Sequence, residues 1–297
     1  MNKFGTHIQV WKPTWTPGEV EAAAKKASEL GYHFLEVPIR APETVDTEAV
    51  KAILDTYGMT CVCPYVHATD LDIATEDEAT RQAAVEKMKK GIDCAAKLGA
   101  KWITGPTSSA LGKFDIQRTD KEIENSVRSM KELTTYAKQF GINICVEALN
   151  RYENNLVNTA KQGLDYANKV GADNLYIQLD SFHMNIEESD IRGAILTLGD
   201  KLGYIQVADN YRGYLGTGEF NFTKLFRALA EIDYQHFIGL EVFSSAVSEP
   251  AHSGKLAIWR ETWSNSEDIA NHAYRFMEQQ VEDAKRYHAM LSNGTIA

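Results

Sequence analysis

Short apolar runs and longer amphipathic stretches alternate along the whole chain, and each kind of segment carries its own period. The apolar runs cover residues 4–11, 33–39, 60–67, 101–107, 142–148, 175–181, 203–208 and 237–243. Runs this short and this rich in apolar side chains read as strands buried on both faces. Between them the pattern is helical and the helix ends are marked. TPGEVEAAAKKASELG opens on a Thr–Pro start and closes on Gly31, RTDKEIENSVRSMKELTTYAKQFG closes on Gly141, and TAKQGLDYANKVG closes on Gly171. Helix, glycine and short apolar strand thus recur as one repeated turn. Such alternation calls for a parallel sheet with helical crossovers. Eight units predict an α/β fold of the closed (β/α)8 TIM-barrel class rather than an open doubly wound sheet, since no glycine-rich phosphate loop follows the first strand. One barrel domain over residues 1–297 accommodates the chain, and no Pro-, Ser- or Gly-rich linker divides it. The last amphipathic stretch, from about Ser266 to Leu291, predicts a long C-terminal helix that covers the barrel exterior or serves an oligomer contact.

Composition narrows the function. Hydrophobic residues make up 44% of the chain and charged residues 24%, which suits a soluble protein with a sizeable core. The formal net charge of -10 argues against a nucleic-acid groove or an anionic membrane surface as main partner, because both need clustered Lys and Arg. A small neutral molecule fits better. MNKFGTHIQVWKPTW has no apolar core leading to a cleavage site, and no run of about 20 apolar residues occurs, so a cytoplasmic protein that spans no membrane is expected. Cys61, Cys63, Cys94 and Cys145 fall inside predicted strands or a helix, at spacings that match neither a zinc nor a redox pair, and are expected as buried free thiols. There is no P-loop, nucleophile elbow or dinucleotide fingerprint.

Candidate chemistry sits late in four successive runs: Glu147 in ICVEALNRYEN, Asp180 in LYIQLDSFHMN, Gln206 in YIQVADNYRG and Glu241 in FIGLEVF. Parallel barrels build their active sites at these strand ends. Three carboxylates and an amide oxygen are donors that hold Mn²⁺, Mg²⁺ or a similar cation, and a metal would offset the cost of burying the acids together. Beyond the proposed ligands, Glu153, His183 and Arg212 lie in loops that would roof the same pocket. Arg212 offers two donors to substrate oxygens, His183 offers one, and Glu153 accepts from a hydroxyl, which together make a polyol-binding set. His67, at the end of strand three, and Glu36, late in strand two, either line the mouth or make rim contacts. Trp11, Trp15, Trp259 and Trp263 are read as packing residues rather than sugar-stacking ones.

VEALNRYENN, LDSFHMNIEE, RGYLGTG, GLEVF and the later WRE resemble the ketose 3-epimerases, which act on free ketoses such as D-tagatose and D-psicose within the xylose-isomerase-like barrel superfamily. The resemblance covers nearly the whole chain. It implies a barrel binding Mn²⁺ first, or Co²⁺ or Mg²⁺, acting on a small sugar as a homodimer or homotetramer, with a partner subunit of another kind left open. Carried over motif by motif, Glu147, Asp180 and Glu241 would be metal ligands, and Glu153, His183 and Arg212 would hold the substrate. Glu147 and Glu241 would double as the acid and base at C3 of the sugar, through a cis-enediolate.

The match departs at defined places. The family has a histidine where this chain has Gln206, which would give a harder, all-oxygen site. That ligand set also resembles dehydratases of the same superfamily, so a metal-dependent lyase using the same enolate chemistry is the alternative reading, and a non-catalytic sugar-binding protein is the weakest. At the mouth, His7 and Gln9 replace a tyrosine-rich stretch, Gly105 and Pro106 replace a glycine pair, and Val242 and Phe243 follow Glu241 where a proline is usual. His7 therefore joins the candidate substrate contacts.

Overall fold

Each predicted apolar run supplies one strand of a single closed parallel barrel. The structure, a computed structural model, describes residues 2–39, 41–248 and 250–295. The strands follow one another round the barrel in chain order. They are β1 (Lys3–His7), β2 (Phe34–Glu36), β3 (Thr60–Pro64), β4 (Trp102–Thr104), β5 (Asn143–Glu147), β6 (Leu175–Asp180), β7 (Leu202–Val207) and β8 (Phe237–Leu240). The helices that return the chain are α1 (Pro17–Glu29), α2 (Thr47–Thr56), α3 (Glu78–Lys97), α4 (Asp120–Lys138), α5 (Ala160–Val170), α6 (Ser181–Glu187), α7 (Ile191–Leu198) and α8 (Phe222–Glu231). A short α9 (Pro250–Lys255) and the long α10 (Ser266–Ser292) complete the chain. No helix among the described residues is long and apolar enough to cross a membrane.

Local chemistry explains the helix boundaries. Thr119 opens α4 with a capping box: its hydroxyl accepts from the Glu122 N–H at 3.1 Å, and the Glu122 carboxylate accepts from the Thr119 N–H at 2.9 Å. Gly171, at φ 71°, closes α5 in the left-handed region as the sequence pattern requires. The first strand ends earlier than its apolar run. Pairing with β2 stops at His7 opposite Glu36, and Ile8–Val10 form a 3-10 turn in which Trp11 and Lys12 both donate to the Ile8 carbonyl. Backbone amides that leave the ladder at the mouth find their partner locally.

The two-residue period of each strand sorts side chains between two cores. Phe34, Val62, Trp102, Cys145 and Tyr204 fill the barrel interior, flanked by Tyr176 and Phe237. Leu35, Cys61, Cys63, Ile103, Ile144, Ile177, Ile205 and Ile238 point the other way, into the layer between sheet and helices. Gly5 belongs to the interior, where a Cβ would lie 2.2 Å from the Phe34 ring. Counting in twos along the same face reaches His7 from Gly5, Glu36 from Phe34, Glu147 from Cys145, Asp180 from Tyr176, Gln206 from Tyr204 and Glu241 from Phe237. The floor of the barrel is therefore apolar and its mouth is polar.

The four cysteines are buried and unpaired, Cys145 inside the barrel and the others outside it. Helix α10 covers the barrel exterior through Ile269, Ala270, Ala273 and Met277, with Phe276 edge-on to Phe222 and the Tyr32 hydroxyl donating to the Ala270 carbonyl at 2.8 Å. Its residues beyond Ala284 are exposed or half-buried. Because Phe34 is fully buried at the floor, Phe34→Ala is expected to lower the unfolding free energy by about 3–5 kcal/mol, read by chemical denaturation. A loss under about 1 kcal/mol would mean the interior collapses around the gap.

Candidate functional site

The polar mouth is organised around three carboxylates. Glu147 ends β5, Asp180 ends β6, and Glu241 directly follows β8. Donor atoms of Glu147, Asp180 and His183 lie within 4.8 Å of one another, all three residues buried. Asp180 also caps α6: Oδ1 accepts from the Phe182 N–H at 3.0 Å, which leaves Oδ2 for the cluster. The Arg212 guanidinium closes the ring, donating to Glu241 Oε2 at 2.6 Å and to Asp180 Oδ2 at 3.4 Å. Burial, then the neighbouring charges of Glu241 and Asp180, holds the Glu147 carboxyl well above its usual range. Asp180 is raised for the same reasons, burial first and Glu241 next. Three carboxylates against one guanidinium leave two negative charges uncompensated when all ionise. A divalent cation supplies that missing charge, and the donor set fits it.

His183 is fixed by an amide absent from the sequence reading. The Asn150 backbone N–H, which can only donate, points at His183 Nδ1 at 3.2 Å, and the Asn150 side-chain amide lies 2.8 Å from the same nitrogen. Nδ1 is therefore the acceptor, and Nε2 carries the proton. That N–H faces the carboxylates, 3.7 Å from Glu147 Oε1 and 3.8 Å from Asp180 Oδ2. Burial and then the Arg212 charge push the imidazole well below its usual range, so it is neutral. The geometry makes His183 a hydrogen-bond donor to whatever enters rather than a metal ligand through Nε2. The same Asn150 amide donates to Glu153 Oε1 at 2.8 Å. Glu153 thus stands half-buried at the rim, outside the carboxylate ring but tied to His183.

Arg212 is held by its surroundings as much as by charge. Its backbone takes φ 58°, costly for a side chain with a Cβ. Asp209 supports that turn: its carbonyl accepts from the Arg212 N–H at 2.8 Å, and its buried carboxylate accepts from the N–H groups of Gly216 and Gly218 at 2.9 and 3.0 Å. The guanidinium lies 4.0 Å from the Phe182 ring centre and 5.0 Å from that of Phe243. Its Nε is buried without a hydrogen-bond partner among the described residues, so that donor is not spent on the protein.

The remaining candidates occupy the mouth with different partners. Gln206 lies on the inner face beside Asp180 in strand register. Its Nε2 donates to Glu36 Oε1 at 3.0 Å, and its Oε1 accepts from Gln178 Nε2 at 2.7 Å. Glu36 is buried and hydrogen-bonded rather than ion-paired, and burial pushes its carboxyl up to about 7. His7 Nε2 is 2.8 Å from the Val242 carbonyl, and its ring lies against Phe243 at 4.7 Å. His67 is buried edge-on to Tyr65, and burial lowers its pKa to about 4. Trp11 and Trp263 are buried and Trp15 packs on the core, whereas Trp259 is 77% exposed.

The family described as Xylose isomerase-like TIM barrel matches residues 24–285. L-ribulose 3-epimerase of Methylomonas sp. (strain DH-1) is 35% identical over 277 residues, 93% of this chain and 97% of that protein. The chain belongs to the ketose 3-epimerases. The ketose 3-epimerase of Arthrobacter globiformis is 34% identical over 95% of this chain and 98% of its own length. A crystal structure of D-allulose 3-epimerase from Methylomonas sp. in complex with D-allulose matches at a TM-score of 0.91 and 34% identity, covering 94% of this chain and 97% of that one. This ketose 3-epimerase is accordingly an isomerase-class enzyme of a metal-dependent family of sugar epimerases.

A carboxyl that holds its proton more tightly folded than unfolded makes folding less favourable as pH rises above the unfolded value. With Glu147 and Asp180 both raised, the metal-free ketose 3-epimerase is expected to lose stability from about pH 4 upward until the raised folded values are passed. A divalent ion takes the place of the protons, so the gain in melting temperature on adding Mn²⁺ should be larger at about pH 8 than at about pH 5. Melts in chelator and in Mn²⁺ measure both effects. Equal gains at the two pH values would show that these carboxyls do not hold the ion.

Proposed function

We propose that this ketose 3-epimerase inverts C3 of a free ketose, with Glu147 and Glu241 as the paired base and acid. The observation that carries the reading is that Glu147 ends β5 and Glu241 follows β8, three strands further round the barrel, with Asp180, His183 and Arg212 between them. Glu147, Asp180, Gln206 and Glu241 would hold the cation, for which their oxygen donors favour Mn²⁺, with Co²⁺ and Mg²⁺ as substitutes. When bound, such an ion supplies Lewis-acid polarisation of the ketose oxygens, which acidifies the C3 proton.

The side chains do the rest. One glutamate takes the C3 proton on its carboxylate while the bond electrons pass to the carbonyl oxygen, giving a cis-enediolate. The other, protonated, returns a proton to C3 from the opposite face, and the centre is inverted. His183 Nε2–H and Arg212 Nε–H donate to sugar oxygens, Glu153 accepts from a hydroxyl, and His7 shapes the mouth beside Phe243. Four unpaired buried cysteines support a reducing, cytoplasmic compartment. The family likeness supports a homodimer or homotetramer, for which the exposed end of α10 offers a contact surface.

Incubating the Mn²⁺-loaded enzyme with D-psicose, D-tagatose and L-ribulose in deuterated water tests the reading. Inversion at C3 with deuterium uptake, followed by NMR, is expected. Loss of water from the sugar would assign a lyase instead, and the absence of turnover on any ketose with stoichiometric Mn²⁺ bound would refute the proposal. Glu147→Gln and Glu241→Gln are each expected to slow C3 proton exchange by at least about 100-fold.

A further inference from the structure

The fourth proposed ligand is an amide, and an amide has a wrong way round. Its oxygen can face a cation, but its NH₂ cannot, so a metal site built on Gln206 needs something to choose between two nearly isosteric orientations. The barrel interior contains such a selector. Glu36 Oε1 accepts from the Tyr204 hydroxyl and from Gln206 Nε2. On the other side, the Gly105 backbone N–H donates to Gln178 Oε1 at 2.8 Å, and Gln178 Nε2 donates to Gln206 Oε1 at 2.7 Å.

Both ends of this chain have a fixed sense. A peptide N–H only donates, so Gln178 must present its NH₂ to Gln206. Glu36 Oε1 accepts two hydrogen bonds, so Gln206 must present its NH₂ to Glu36. Flipping either amide would set donor against donor or acceptor against acceptor in a buried site. The Oε1 of Gln206 is left with one lone pair on Gln178 and a second unspent. Space for the Glu36 end is reserved by Gly239, in register with Gln206 on β8: a Cβ there would lie 2.1 Å from the Tyr204 hydroxyl and 2.9 Å from Glu36 Oε1.

We propose that Glu36 and Gln178 are positioning residues of the metal site, holding the Gln206 amide with Oε1 presented as the fourth oxygen donor. The proposal rests on the ligand role given to Gln206 above and adds the reason that an amide can serve there. Each residue acts through Gln206.

The test is Mn²⁺ affinity of the full-length protein by equilibrium dialysis, together with the melting temperature of each metal-free variant. Glu36→Leu and Gln178→Met remove one arm each and are expected to weaken Mn²⁺ binding by about 10–100-fold. Glu36→Gln, whose own Oε1 can accept from both Tyr204 and Gln206, is expected to recover most of the affinity lost in Glu36→Leu. Gln206→Ala should match the Leu and Met variants. Lower melting temperatures with Mn²⁺ affinity within about twofold of the parent would overturn the proposal, since the chain would then serve stability alone. Should Glu36→Leu fail to fold, Gln178→Met decides. Parent-like affinity in Gln206→Ala, with Asp180→Ala unable to bind, would sink the positioning role while leaving the carboxylate site intact. Parent-like affinity in Asp180→Ala as well would remove the metal-site assignment and the proposal together.

Discussion

Three carboxylates brought together out of water cannot all ionise beside one another without a compensating charge, and the mouth of this barrel is arranged around that constraint. Glu147, Asp180 and Glu241 reach it from β5, β6 and β8, and Arg212 supplies one positive charge across two of them. The guanidinium also lies against the rings of Phe182 and Phe243, contacts that favour its place over the acids. His183 stays neutral because burial and that same guanidinium discourage a second cation. What remains is an oxygen-rich cluster short of positive charge, bordered by a neutral donor and a buried arginine. A sugar brings many hydroxyls and no charge, and it fits that surface without disturbing the balance.

The barrel's geometry turns this chemistry into an ordered shape. An inner face that is apolar at Phe34, Trp102 and Tyr204 becomes polar two residues further along each strand. The floor supplies hydrophobic burial and excludes water from below, while the strand ends carry the acids. Low dielectric beneath the carboxylates strengthens each interaction among them and raises the cost of any unpaired one.

Much of this was legible in the chain. The eight runs, the helix-ending glycines and the place of Glu147 and Asp180 at strand ends follow from local pattern alone, and the barrel bears them out; Glu241 falls one residue past β8. Gln206 stood out because it departs from an otherwise continuous family motif. Less visible were the residues that aim the others. Asn150, Gln178 and Asp209 look like ordinary polar residues of strands and loops; their partners His183, Gln206 and Gly216 become neighbours only when strands close or loops fold back. The end of β1 at His7 was hidden for a related reason, since an apolar run continues past it into the 3-10 turn. Alternation reports which face a residue takes, and it is silent on which atom of an amide or imidazole faces which neighbour.

Arg212 shows what such a site asks of its backbone. At φ 58° the position suits glycine or asparagine better than arginine, and Asp209 spends its carboxylate and its carbonyl on keeping the turn in place. Glycine or asparagine at residue 212 would ease the backbone and remove the guanidinium. Thermostabilising substitutions chosen by backbone preference would therefore take away the positive charge set against Asp180 and Glu241.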